Sequence, residues 1–434
     1  MKIKIITNHK YIDEVQTIAQ IFFPHARFCY GDEVADYTIT SDINDKSEYP
    51  FYLSEKRQVM LDLFHKLQKE IGAFTPWGAL TGVRPTKMVR EWLAKGHTNV
   101  EEILKTVFCV QEDRARLALE VAHAENRAAA RIHGIGLYIS IPFCPSRCVY
   151  CSFNTAHKPW SMEMQTRYVE ALINEIPKEK FTSIYIGGGT PTALENHLLE
   201  KLLDALPKIQ GEFTVEAGRP DTITYENLLI MKKHGVNRIS INPQTINDRT
   251  LEIIGRKHTT KDFFRAYELA REVGFASINT DIIAGLPGET PKDMTHTMET
   301  LAKLQPENIT IHTLAIKRAS KLNEHRVDRV LSKYKIPDAK TIETQLKITY
   351  KACNSMGFSA YYLYRQKNMT ALFENTGFSL PGRECLYNVG MMSEVQTIVG
   401  IGAGAVSKYI DGTKITRTFN PKDAEIYIER RNPR

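Results

Sequence analysis

Between residues 137 and 314 the chain alternates short runs of apolar and β-branched residues with longer stretches whose apolar positions recur every three or four residues. The short runs are LYISI (137–141), SIYIG (183–187), FTVEA (213–217), RISIN (238–242), SINTDIIAG (277–285) and NITIHTL (308–314). Between them lie helical patterns such as MQTRYVEALINEI, LLEKLLDAL, ENLLIMKKHG and KDFFRAYELAREVG. Six strands alternating with helices predict βα units and a parallel sheet. Right-handed crossovers wind such units into a barrel or an open barrel, with chemistry at the C-terminal strand ends.

The flanks read differently. Ile3 to Ile6 predicts a short strand, and Val15, Ile18, Ile21 and Phe22 fall at helical spacing. LTGVRPTKMVREWLAKG reads as a Gly–Pro turn running into an amphipathic helix. Residues 111–132, rich in Ala, Glu and Arg, predict a long helix that ends at the glycines 134 and 136. After about 320 a helical stretch gives way to Gly- and Tyr-rich sequence, expected to pack against the open side of the barrel. The expected organisation is α/β. An N-terminal α/β accessory domain spans 1–132, a partial (β/α)6 barrel spans 133–320, and a C-terminal α+β region covering the substrate spans 321–434.

Composition adds bounds. The 434 residues are 42% hydrophobic and 25% charged, enough for a buried core in two or three domains. The net charge of +7 is mild; it suits an anionic small molecule, and no nucleic-acid partner is expected. No run of about 18 apolar residues predicts a membrane span. MKIKIITNHKYIDEV has neither the apolar stretch nor the cleavage site of a secretion signal, so a cytoplasmic location is expected.

Seven cysteines, an odd number, argue against a disulfide scaffold. Three of them, Cys144, Cys148 and Cys151, form CxxxCxxC directly after the first strand of the central series. Thiolates are the natural ligands of iron–sulfur clusters. Three of them leave one iron of a [4Fe–4S] cluster open, and an open position is what makes a metal catalytic. A zinc knuckle and a redox loop are the competing readings. Zinc usually takes four ligands in paired sets. No second pair lies nearby, and His157 is the one candidate fourth ligand.

Polar residues recur at the following strand ends. Gly187, Gly188, Gly189, Thr190, Pro191 and Thr192 stand at the end of the second strand, where glycine permits close backbone approach and the loop can bind a carboxylate or amino group. Glu216 ends the third strand, Asn242 and Gln244 the fourth, Asp281 sits in the fifth and His312 in the sixth. Facing a dry core they would be costly; lining a cofactor cavity relieves that cost.

YISIPFCPSRCVYC, IGGGTPT, TVEAGRP, SINPQTINDRTLEIIGR and TDIIAGLPGET together resemble the oxygen-independent coproporphyrinogen III oxidase/dehydrogenase family of radical-SAM proteins, in its HemZ-type branch. The resemblance covers roughly 135–410 and implies a radical-SAM barrel, a cluster on the three cysteines and S-adenosyl-L-methionine on its open iron. It implies cofactor contacts at Tyr138, Gly188, Gly189, Thr190, Glu216, Gln244, Arg256 and Asp281. Tyr150 and Ala315 fall where the family contacts a second cofactor molecule. It also implies a tetrapyrrole substrate, a reductase or flavodoxin-like electron donor, and oxidative decarboxylation of propionates to vinyl groups. Catalytic acid or base residues are not assigned. The main anaerobic enzymes carry a fourth cysteine where this chain has Phe153, and a histidine where it has Ser140. A haem-binding chaperone and another tetrapyrrole-modifying radical enzyme therefore stand as alternatives.

Two weaker signals remain. Gly400, Gly402 and Gly404 resemble a dinucleotide loop, against which a tight turn is the simpler reading. Arg84 and Lys87, or Arg365 and Arg383, are candidate partners for substrate carboxylates, and a solvated helix start explains the first pair equally well.

Overall fold

The computed structural model describes residues 1–431 apart from 9, 25, 42–48, 50–52, 74, 152–159, 318, 325–333, 367–369 and 413. Phe153 and His157 therefore lie outside the described residues. Two compact units are present, Met1–Ala122 and His123–Arg434.

In the first unit, β1 (Lys2–Thr7) is flanked by β2 (Arg27–Cys29) and β3 (Tyr37–Ser41), all parallel. Ile3 and Ile5 of β1 are buried with Val15 and Ile18 of helix Ile12–Phe22. Phe22 meets Phe64 of helix Glu55–Ile71 at 5.4 Å between ring centroids. The Gly–Pro turn leads, as expected, into helix Pro85–Ala94, with Arg84 and Lys87 at its start.

The second unit is built on one eleven-stranded sheet. Its centre is β4 (Ile135–Ile141), β5 (Phe181–Gly188), β6 (Glu212–Val215), β7 (Arg238–Ser240), β8 (Ser277–Ala284) and β9 (Asn308–Thr313). They are parallel and adjacent in chain order. These are the six predicted strands; the four named helical patterns fold as Met162–Glu175, Asn196–Ala205, Tyr225–Lys233 and Thr260–Val273, and helices Asp248–Ile253 and Pro291–Leu304 come in addition. Their starts have local causes. Thr259 and Asp262 cap helix Thr260–Val273 reciprocally, and Gly274 ends it in the left-handed conformation. β5 and β9 are buried almost throughout, as befits parallel strands covered on both faces.

The C-terminal strands do more than cover an opening. β10 (Ser359–Tyr364) and β11 (Asn375–Ser379) extend the sheet antiparallel beyond β9. β12 (Thr397–Ile401) pairs parallel with β4 on the other side and is followed by β13 (Val406–Asp411) and β14 (Lys414–Phe419). The sheet is open, with β10 and β14 at its ends.

The glycine stretch 400–404 joins strand to strand, with no helix behind it, so the dinucleotide reading fails. A Cβ on Gly402 would stand 2.5 Å from the Ser140 carbonyl oxygen, and its φ is +94°. The turn packs on the end of β4, where Tyr168 donates to the Ser140 carbonyl (2.8 Å) and accepts from the Ala403 N–H (2.7 Å). Among the described residues no helix is long and apolar enough to cross a membrane.

Candidate active site

Pro142 and Phe143 lead from β4 into the cysteine loop. Phe143 is buried, its ring packed edge-on against Tyr168 (5.1 Å) and Trp160 (4.6 Å). That anchor fixes where Cys144 begins. Further along, Cys151 N–H donates to the Cys148 carbonyl (3.1 Å) and Val149 N–H to Ile254 O (3.0 Å), so the loop is stitched to the segment after β7.

The glycine run after β5 lies directly on this loop. Gly189 N–H donates to Ile141 O (2.6 Å) and Thr190 N–H to Phe143 O (2.7 Å). The Thr190 hydroxyl is 3.3 Å from Cys144 Sγ. A Cβ on Gly189 would stand 2.5 Å from Phe143 O and 2.8 Å from Ile141 O, so no larger residue fits without moving backbone.

Both loops open on a cavity of about 370 Å³ at the C-terminal ends of the parallel strands. It is lined by Cys144, Cys148, Cys151, Tyr150, Gly188, Gly189, Thr190, Glu216, Gln244, Arg256, Asp281 and Ala315, together with Arg219, Asn242, His312 and Tyr364. Tyr138 is not among the lining residues. Its ring stacks on Tyr387 at 6.0 Å, beside Tyr185, within the aromatic cluster of the C-terminal region.

The cavity carries a polar floor. Tyr185 donates to Glu216, and His312 Nε2 is 3.5 Å from Asp281. Asn242 accepts from the Asp281 N–H at 3.1 Å. Burial pushes the Glu216 carboxyl up to about 7. At Asp281 burial also pushes up, but bonds from His312 and Asn279 outweigh it and hold the carboxyl below its ordinary value. Two neighbouring carboxyls thus differ in charge near neutrality.

Gln244 has φ +67° and is buried. Its N–H donates to Asp281 O (3.0 Å) and its carbonyl accepts from Ile283 N–H (3.0 Å), so β8 holds it in place. Arg256 donates to Gly218 O (3.1 Å) and Asn242 O (2.8 Å) and reaches the Tyr150 hydroxyl at 3.4 Å; its Nε is buried without a partner among the described residues.

A folded-state pKa above the unfolded one means that the native state holds the extra proton. The Glu216 term therefore lowers stability as pH rises from about 4.5 to about 7. Glu216→Gln is expected to remove this slope. Relative to the native chain, the drop in urea-unfolding free energy between about pH 5 and pH 8 should shrink by on the order of 2 kcal/mol. An unchanged drop would show the carboxyl to be solvated.

Burial pushes the Cys144 thiol up to about 11, against the Thr190 bond. Among the described residues no three Cys, His, Asp or Glu side chains are gathered closely enough to hold a single metal ion.

The motif reading had not assigned Arg219, Tyr185 or Tyr364. Arg219 lies inside the TVEAGRP segment, so its position was visible but not its partners. Of the candidate carboxylate partners, Arg383 is at the other end of the sheet, donating to Ala276 O (3.0 Å) just before β8 begins, and is no part of the cavity. Arg365 directly follows the cavity residue Tyr364, and burial lowers its guanidinium to about 10. Arg84 and Lys87 belong to the first unit.

A six-stranded parallel core with a three-cysteine loop after its first strand, and polar residues at the later strand ends, defines a radical-SAM enzyme. The Radical SAM superfamily model matches residues 138–301. More particularly, the chain belongs to the HemZ-type family of oxygen-independent coproporphyrinogen-III oxidase-like proteins. It is 35% identical to the HemZ protein of that description from Bacillus subtilis (strain 168), with 99% of this chain and 95% of the relative covered. The haem chaperone HemW of the same organism is 33% identical over 67% of this chain and 74% of its own. Among solved structures, coproporphyrinogen III oxidase (HemN) from Escherichia coli superposes with a TM-score of 0.55 at 23% identity, covering 71% of each chain, and speaks for the fold.

Proposed function

We propose that the chain is an oxygen-independent coproporphyrinogen III dehydrogenase that converts two propionates to vinyl groups, each with abstraction of one hydrogen atom, loss of carbon dioxide and transfer of one electron to an external acceptor. The observation that carries this reading is the convergence of three thiols and the strand-end polar groups on one cavity, in a chain similar over its whole length to a protein of that family. The donor set fits a [4Fe–4S] cluster on Cys144, Cys148 and Cys151. When bound with S-adenosyl-L-methionine, that cluster supplies a 5′-deoxyadenosyl radical for hydrogen abstraction.

The chain's own residues do the rest. Gly188 and Gly189 let the loop after β5 lie against the end of β4 and the start of the cysteine loop, where a Cβ would meet Ser140 and the Ile141 and Phe143 carbonyls, and the Thr190 hydroxyl lies at Cys144. Glu216, Gln244, Arg256 and Asp281 supply the polar contacts that orient the cofactor, with Tyr150 and Ala315 beside a second molecule of it. The His312–Asp281 and Tyr185–Glu216 pairs hold these carboxyls in place. Arg147 and Lys317 line the cavity and suit a substrate bearing several carboxylates. Tyr364, Gln366 and Asn375 also line it, which supports a substrate-covering role for the region 321–434. The electron donor is a reductase or flavodoxin-like protein, and the location is cytoplasmic.

The test is direct. The protein is purified anaerobically, reconstituted with iron and sulfide, and mixed with S-adenosylmethionine, reductant and coproporphyrinogen III. Carbon dioxide and protoporphyrin are expected. Stoichiometric haem binding without product would overturn the proposal in favour of a carrier. Deoxyadenosine with neither outcome would point to another tetrapyrrole chemistry.

A further inference from the structure

Arg219 occupies an unusual position against the cysteine loop. The residue is 3% exposed, in the segment after β6. Nη1 donates to the Ser146 carbonyl (3.2 Å), Nη2 to the Ser146 hydroxyl (3.0 Å), and Nη1 lies 4.0 Å from Cys148 Sγ. The remaining donors go to one carboxylate: Nε to Asp221 Oδ1 (3.0 Å) and Nη2 to Asp221 Oδ2 (2.9 Å). Asp221 is backed by the buried His258 at 3.9 Å, whose imidazole is driven down to about 3 by burial and so stays neutral. The result is a fixed dipole, its positive end on the sulfur and its negative end turned away.

A bond to Ser146 alone would explain a structural Arg. The second contact, with a thiol at the centre of the motif, has no packing reason. A neutral side chain would satisfy the same volume, whereas a buried cation must recover its desolvation cost. Asp221 recovers part. A thiolate at Cys148, with the negative charge of a cluster behind it, would recover the rest.

We propose that the Arg219–Asp221 pair sets the reduction potential of the cluster. The inference rests on the cluster reading above. Reduction places one more negative charge behind the thiolates, and a buried guanidinium beside one of them favours the reduced form; charge and hydrogen bonds at the sulfurs are established determinants of such potentials. Arg219 is a positioning and tuning residue and touches no reacting atom.

The two partners act with opposite sign. Removing Arg219 deletes the cation and leaves Asp221 as a bare negative charge. Removing the Asp221 charge leaves the cation unopposed. The experiment is a redox titration of the reconstituted full-length protein, followed by the electron paramagnetic resonance signal of the reduced cluster, with iron content measured on each sample. Arg219→Met is expected to lower the reduced-to-oxidised ratio at fixed potential about tenfold, or about 59 mV towards negative for a one-electron couple. Asp221→Asn is expected to move it the other way, and Arg219→Lys to fall between. Loss of packing alone would shift both variants in one direction or broaden the signal without a signed shift. Equal midpoints at full iron content overturn the proposal. A native protein that takes up no cluster overturns the functional reading instead, so the two failures are distinguishable. If Arg219→Met does not fold, the Asp221→Asn and Arg219→Lys titrations still decide.

Discussion

Cys148→Ala should yield a colourless protein that makes no deoxyadenosine. With three ligands one iron of a cubane stays open, and with two the cluster loses an anchor as well. Cys148 is the most enclosed of the three, 8% exposed and facing Arg219. The substitution removes one small buried atom, so its packing cost is about 1 kcal/mol and folding should survive. Cys353→Ala is the matched control. It removes another buried thiol of the same unit, in helix Ala339–Ser355 and away from the cavity. The measurement is iron content and visible absorption after anaerobic reconstitution, with circular dichroism to confirm the fold. Retention of the brown colour in the Cys148 variant, or a colourless native protein that binds zinc, would sink the cluster reading.

Gly189→Ala should cut deoxyadenosine formation about a hundredfold while leaving iron content intact. The added methyl would meet Phe143 O at 2.5 Å, Ile141 O at 2.8 Å and Pro142 C at 3.0 Å. All three are backbone atoms, so no rotamer change relieves the clash. The loop after β5 must back away from the residues that lead into Cys144. The hydrogen bonds at Gly189 and Thr190 that join the two loops lengthen with it. Overpacking of this kind costs about 1–3 kcal/mol in stability. A displacement on the order of 1 Å at a reacting centre costs about 10²-fold in rate. A variant within threefold of the native rate would mean that the loops can separate without affecting the cofactor.

Much of the fold was legible because its signals are local. The six central strands announced themselves as apolar runs, and helix starts such as Thr259–Asp262 are written in adjacent residues. The cysteine loop and the glycine run were legible for the same reason. What escaped depends on partners far apart in the chain. β11 is buried at every residue yet reads NTGFS; Asn375 Oδ1 accepts from the Thr313 N–H of β9, and the Thr376 hydroxyl meets the Tyr350 hydroxyl of helix Ala339–Ser355. No periodicity marks such a strand. Tyr138 stacks with the rings of Tyr185 and Tyr387, which come from another strand and a helix, and no local pattern announces that packing. Arg219 and Asp221 are two residues apart, and nothing in that spacing shows that Cys148, 71 residues away, is brought alongside. The C-terminal region reads as packing against the open side of the barrel; its strands also lengthen the sheet at both ends, which pairing sets and composition does not announce.

The pairing of β12 with β4 carries a consequence for biosynthesis. β4 bears the cysteine loop at its end, yet its outer neighbour begins at Thr397, some 260 positions later in the register. A nascent chain that has already made all three cysteines still presents β4 as a bare edge, open to association with other chains. The three thiols are therefore made well before the strand that completes the neighbourhood of β4, and a chain interrupted ahead of Thr397 would carry them without it.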